Sequence, residues 1–187
     1  MQASAMPFGA RRLLLCVCGG IAAYKAAELV RRLRDDPSIQ VIVAMTENAQ
    51  RFVGAQTFQA LSGQSVRTSL WDASAEAAMG HLELAQWADQ IIIAPATANS
   101  IAKLAHGIAD DLVSTLCLAT AAPIAIAPAM NHRMWLHAAT QANIATLRSR
   151  GVQVIGPNDG PLAEGESGPG RMAEPVEIVA ALNGVRA

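Results

Sequence analysis

The run Leu13-Leu14-Leu15-Cys16-Val17-Cys18-Gly19-Gly20-Ile21-Ala22-Ala23 decides the architecture. Its first half is continuously apolar rather than alternating, which is the pattern of a strand covered on both faces. Two glycines then permit a sharp turn. Residues 21–34 follow with Ala22, Ala26, Leu29, Val30 and Leu33 at helical spacing and charges on the opposite side. Four further apolar runs, at 41–45, 91–94, 123–127 and 152–155, repeat the strand pattern of 13–18. Helical stretches at 97–106, 110–120 and 138–149, and a short one near 176–182, lie between or after them. Strands alternating with helices predict βαβ units, a parallel sheet and right-handed crossovers, in an α/β domain of three layers.

An internal echo marks the functional edge. Ile91-Ile92-Ile93-Ala94-Pro95-Ala96 recurs in form as Ile124-Ala125-Ile126-Ala127-Pro128-Ala129. A proline cannot donate to the ladder, so both are predicted to end buried strands. Open parallel sheets bind ligands at those carboxyl ends. Residues 156–175 are rich in glycine and proline and too long for a tight connection, so they are predicted to be a flap or a loop.

Composition narrows the function classes. The chain has 187 residues, enough for one domain with one core, read here as residues 11–187 behind a loose, disordered leader of ten residues. It is 52% apolar and 16% charged, which predicts apolar surface buried between subunits. The formal net charge of -1 points to neither nucleic acid nor an anionic membrane. No apolar run reaches the roughly 20 residues of a membrane span, and the leader lacks the features of a secretory signal. Cys16, Cys18 and Cys117 read as reduced, buried thiols of a cytoplasmic protein.

Five constellations could carry chemistry. Cys18-Gly19-Gly20-Ile21 brings bare N–H groups and a helix N-terminus to one place, as a phosphate site does. The G-x-G-x-x-G fingerprint is absent and no acidic residue closes the second strand, so a mononucleotide fits better than NAD. Thr46 stands there instead, with a hydroxyl able to bond a phosphate oxygen, although a plain βα turn has the same composition. Pro95-Ala96-Thr97-Ala98-Asn99-Ser100 leaves room for a flat ligand, or supplies Thr97 or Asn99 as an ordinary helix cap. In Pro128-Ala129-Met130-Asn131-His132-Arg133-Met134-Trp135, Asn131 can present its amide to a carboxylate, while Met134 and Trp135 read as core. Gly80-His81-Leu82-Glu83-Leu84 contains one of four histidines, none at metal-ligand spacing, so no metal site is expected. Finally, the glycines and prolines around Arg171 in 163–172 suggest a flap closing over an anionic ligand, or a solvated loop.

In this order, these segments resemble the homo-oligomeric flavin-containing cysteine decarboxylases. Within them, the chain is most similar to the phosphopantothenoylcysteine decarboxylases, the N-terminal half of a bifunctional coenzyme A biosynthesis protein. The matching text is Gly19-Gly20-Ile21-Ala22-Ala23-Tyr24-Lys25, Met45-Thr46, Gly80-His81, Trp87-Ala88-Asp89, residues 93–112, 128–135 and 168–172, covering about 11–183. The resemblance implies a flavodoxin-like doubly wound fold, assembled as trimers or a dodecamer with FMN between subunits. It places Gly19, Gly20 and Thr46 at the FMN phosphate, and Thr97, Ala98 and Asn99 at the ribityl chain or ring. Ile21, Phe52, Pro95, Ala96, Thr115, Ala129 and Met130 are further cofactor positions. His81 would be the active-site histidine, presented to a neighbour's flavin. Asn131 would bind the substrate carboxylate beside Met134, under a clamp holding Arg171. The implied reaction converts 4'-phospho-N-pantothenoylcysteine to 4'-phosphopantetheine through a thioaldehyde and an enethiolate, with no external nicotinamide. A phosphopantothenate–cysteine ligase, fused or separate, is the implied partner.

One position departs from the pattern. The family's flap carries a cysteine as final proton donor, and the aligned residue here is Glu164. Glu164 replaces the thiol as acid, or another group such as Glu166 or Ser167 through water protonates, or the second half-reaction is lost. The alternatives are a related flavoprotein, either a peptidyl-cysteine decarboxylase or a flavin prenyltransferase, or, because Glu164 replaces the flap cysteine, a catalytically impaired FMN-binding regulatory subunit. The Pro-Ala-Met-Asn motif argues against the prenyltransferase.

Overall fold

The computed structural model describes residues 11–72, 79–161 and 165–183. The first ten residues and Glu164 lie outside these. Five strands form one parallel sheet: β1 (Arg11–Val17), β2 (Ile39–Met45), β3 (Gln90–Ala96), β4 (Ile124–Pro128) and β5 (Gln153–Val154). Their order is β2-β1-β3-β4-β5, with β1 paired in parallel to both β2 and β3. This is the flavodoxin-like order, and its direction reverses between β1 and β3. All five strands were legible as apolar runs, within two residues at their ends.

Alternate residues of β1 divide the core. Leu13, Leu15 and Val17 face Leu29, Val30 and Leu33 of α1 (Ala23–Leu33). The same layer holds Ile178 and Leu182 of α8 (Pro175–Asn183). Leu14, Cys16 and Cys18 face the other layer, made by α3 (His81–Trp87), α4 (Ala98–His106), α5 (Leu112–Ala119) and α7 (Ala138–Ser149). Each fully buried Leu or Ile contributes about 1.5–3 kcal/mol. Burial on both faces is why these strands read as continuous rather than alternating.

The sequence assigned no helix to α2 (Ala55–Ser62), α3 or α6 (His132–Leu136). Each spans at most about two turns and buries only one or two side chains, so the apolar period is too short to read. The loop reading of 156–175 is corrected in part. Asn158–Pro161 (β6) and Ser167–Arg171 (β7) pair as an antiparallel hairpin, and Pro175 begins α8. Neither strand holds a β-branched or aromatic residue, which hides it from propensity. The hairpin is held from outside: Met130 N–H donates to Gly170 O at 2.9 Å. A Cβ on Gly170 would lie 2.2 Å from Met130 O, and its φ is +150°. Pro95 does not end its strand either. β3 runs on to Ala96, which pairs with Pro128 after a register shift.

Candidate functional site

A cavity of about 930 Å³ opens where β1, β2, β3 and β4 end, within the size range of small-molecule sites. Its floor is the β1–α1 turn. A Cβ on Gly19 would lie 2.5 Å from Asn48 Cβ and 2.7 Å from the Asn48 carbonyl carbon, so only glycine admits this approach. At Gly20 a Cβ would meet nothing closer than Thr97 Cγ2 at 3.7 Å. Thr46 begins the 3-10 turn Glu47–Arg51, where its Oγ1 accepts from Ala49 N–H at 3.3 Å. Its hydroxyl proton remains able to donate into the cavity that Thr46 lines.

The β3–α4 turn forms the second wall. Thr97 caps α4, accepting from Ser100 N–H at 3.3 Å, so Thr97 rather than Asn99 is the cap. Thr97, Ala98 and Asn99 also line the cavity, so the capping and ligand readings coexist. Ser100 Oγ lies 3.0 Å from Thr97 Oγ1 and donates to Cys18 Sγ at 3.0 Å. Burial pushes the Cys18 thiol from 9.0 up to about 12, against the pull of the Ser100 hydrogen bond. Cys16 is raised too, by its hydrogen bond with Cys117 and by burial. All three thiols are free and buried.

A raised thiol value stabilises the fold below the unfolded value, because the folded state keeps its proton. That contribution is lost as pH climbs from about 9 through about 12. Folded protein at pH 8 is therefore expected to resist iodoacetamide at all three cysteines, and denatured protein to take up three equivalents. Mass spectrometry reads both, and rapid labelling of folded protein contradicts the burial.

The third wall is the β4–α6 turn. Asn131 caps α6, its Oδ1 accepting from Arg133 N–H at 2.8 Å. Its Nδ2 is a donor only, suited to an anionic oxygen. Ala129, Met130 and Met134 line the same space. Met134 is half exposed and is not core, which corrects the sequence reading, whereas Trp135 is buried as expected. The hairpin closes the remaining side with Pro161, Gly170, Arg171 and Met172. Glu166 ties it to α6, its carboxylate 2.9 Å from the Arg133 guanidinium and 3.2 Å from His132 Nδ1.

Sequence reasoning missed several lining residues: Lys25, Asn48, Lys103, Asp110 and Asp111. All but Asn48 stood inside stretches that carried the resemblance. Lys25 pairs with Glu174 at 2.8 Å, and Arg171 pairs with the same carboxylate at 2.5 Å. The Lys25 bond, then that of Arg171, holds Glu174 below the usual carboxylate range against the opposing effect of burial. Burial pushes Asp111 up, but bonds from Lys103 and Ser114 outweigh it and leave the group below its ordinary value.

Not every expected residue lines this cavity. Ile21 does, 64% exposed at its mouth. Phe52 lies just past the 3-10 turn and is about half exposed, outside the lining. Pro95 and Ala96 are buried within β3, and Thr115 sits in α5 with its hydroxyl donating to Ala109 O at 3.4 Å. His81, half-buried at the start of α3, is not among the residues that line this cavity. Among the described residues no cluster of His, Cys, Asp and Glu could hold a metal. No helix among them is long and apolar enough to cross a membrane.

The comparisons agree with this geometry. The model of the flavoprotein family matches residues 3–186. The coenzyme A biosynthesis bifunctional protein CoaBC of Escherichia coli (strain K12) is 55% identical over 174 residues, 93% of this chain and 43% of that protein. The chain thus spans less than half the length of this relative. A solved cysteine-to-serine mutant of PPC decarboxylase, complexed with pantothenoylaminoethenethiol, superposes with a TM-score of 0.81 at 30% identity. It covers 92% of this chain and 96% of its own. The FMN-dependent cysteine decarboxylase SpaF gives 0.77 at 31% identity, covering 95% and 99%. With its family match over nearly the whole sequence and the switch-point cavity of its flavodoxin-like sheet, the chain belongs to the flavoprotein family.

Proposed function

We propose that this chain binds FMN and decarboxylates 4'-phospho-N-pantothenoylcysteine to 4'-phosphopantetheine, as a carboxy-lyase of coenzyme A biosynthesis. One observation carries the reading. Gly19, Gly20, Thr46, Thr97 and Asn131, distant in sequence, line a single cavity at the strand ends. The PPC decarboxylase complex and the coenzyme A name of the bifunctional relative support the substrate.

The residues fit a flavin mononucleotide. The Gly19–Asn48 approach, the Gly20 space and the Thr46 and Thr97 hydroxyls suit its phosphate and ribityl groups, and Ala98, Asn99, Ala129 and Met130 its flat ring. When bound, FMN supplies a reversible two-electron acceptor beside the substrate's CH2–SH carbon. Everything else falls to the chain. Asn131 Nδ2 donates to the substrate carboxylate and fixes the bond to be broken, with Met134 packed beside it. The hairpin covers the site and lowers water access. Glu164, which stands where the resemblance expects the flap thiol, delivers the final proton. His81 is assigned to a neighbouring subunit's site, so self-association as trimers, or a dodecamer of them, belongs to this proposal. The half-exposed or exposed Ile21, Tyr24 and Met134 at the cavity support such a contact. A cytoplasmic setting and a phosphopantothenate–cysteine ligase partner complete it.

A peptidyl-cysteine decarboxylase is the second reading, favoured by the likeness to SpaF. Incubating the yellow protein with phosphopantothenoylcysteine and with a cysteine-ended peptide, followed by product mass spectrometry, separates the two. Release of CO2 from neither substrate removes both readings. In the E164Q variant the product is expected to stall two mass units lighter, at the enethiol. Unchanged yield of the saturated thiol in E164Q assigns the proton to another group.

A further inference from the structure

Charge is unevenly distributed around the cavity wall. On the α4–α5 side Lys103 serves two carboxylates, lying 2.6 Å from Asp110 and 2.7 Å from Asp111. That side therefore carries one more negative charge than positive. Where α1, β7 and α8 meet, the count is reversed. Lys25 Nζ and the Arg171 guanidinium both reach Oε1 of Glu174, at 2.8 and 2.5 Å. Lys25 and Arg171 line the cavity and Glu174 does not. The Lys25 side chain is only 11% exposed, so solvent screens its charge weakly. Two cations on one carboxylate leave a net positive charge on this corner, with both side chains held in place. Their bonds to Glu174 use one donor of each, out of three on an ammonium and five on a guanidinium.

We infer that Lys25 and Arg171, bridged by Glu174, form an anion subsite for the phosphomonoester end of the substrate, separate from the glycine turn that receives the cofactor's phosphate. The identity of that substrate rests on the proposed function. A substrate with a carboxylate at one end and a phosphate at the other needs two anion contacts beyond the cofactor's. Asn131 serves the carboxylate as a neutral amide. The wall with Asp110 and Asp111 repels a dianion. Among the described residues lining the cavity, the Lys25–Arg171 corner is where cations outnumber carboxylates. A guanidinium also suits a phosphate by its bidentate geometry.

The test uses flavin-loaded protein and two ligands that differ only in the phosphate: 4'-phosphopantetheine and pantetheine. Titration calorimetry should show the phosphorylated ligand bound about ten- to hundredfold more tightly. In R171Q and in K25Q, on different elements, that preference should shrink to within about threefold, while R171K keeps most of it. Pantetheine binding by each variant reports whether the site is intact. Equal affinity of the wild type for both ligands overturns the subsite, as does an equal fall of both affinities in the two glutamine variants. Failure of the same protein to release CO2 from phosphopantothenoylcysteine counts against the decarboxylase reading instead, and leaves the ratio of affinities as the measure of the subsite.

Discussion

Asn131→Asp is expected to lower kcat/KM for CO2 release by about 10³-fold while the thermal midpoint moves by less than about 2 °C. The two effects separate because Asn131 has two functions at its two side-chain atoms. Its Oδ1 accepts from Arg133 N–H at 2.8 Å and caps α6. Aspartate caps a helix as well as asparagine does, so the fold keeps that bond. In the proposed mechanism its Nδ2 donates to the substrate's carboxylate, and aspartate replaces that donor with a second negative oxygen. Asn131→Ala loses both atoms and should cost about 1 kcal/mol of stability besides the activity. Stopped assays of CO2 and a thermal melt decide the matter. An active N131D variant assigns carboxylate recognition elsewhere.

Gly19→Ala is expected to cost about 3 kcal/mol or more and to yield protein without flavin. The methyl would collide with Asn48 Cβ, its carbonyl carbon and its oxygen, at 2.5, 2.7 and 2.9 Å. Trimming Asn48 to alanine leaves all three colliding atoms in place, so N48A should not rescue it. Gly20→Ala is the control. Its methyl meets only Thr97 Cγ2 at 3.7 Å, so the empty fold tolerates it. The methyl would occupy space in the cavity, and flavin affinity should fall with the melting temperature unchanged. Flavin absorbance per mole of protein and a denaturation curve measure both variants. Equal stability of G19A and G20A contradicts the close approach at Asn48.

Much of the molecule was legible because buried parallel strands impose a strong local signature. Leu13-Leu14-Leu15-Cys16-Val17 and Ile91-Ile92-Ile93 are apolar at every position because both faces are covered. The long amphipathic helix α1 announced itself by its period, and the short helices α2, α3 and α6 did not. The β6–β7 hairpin escaped for another reason. Its strands read Asn158-Asp159-Gly160-Pro161 and Ser167-Gly168-Pro169-Gly170-Arg171, and what pairs them is docking on Met130 and His132.

The same division runs through the site. The sequence by itself determined the doubly wound sheet, the phosphate-suited glycine turn and the family. Each rests on neighbouring residues or on the order of motifs. Only the tertiary structure decided which motifs share one cavity, since that depends on strand order: β1 lies between β2 and β3. It brought Thr46, Thr97 and Asn131 into one cavity with the glycine turn and left His81 out of the lining. It also turned Met134 from a core residue into a cavity wall. And it joined Lys25 to Glu174, 149 residues away in sequence, and through it to Arg171, because α1 and α8 pack on the same face of the sheet. No local pattern encodes a contact of that separation, because it is fixed by packing between distant elements rather than by the chain near either residue.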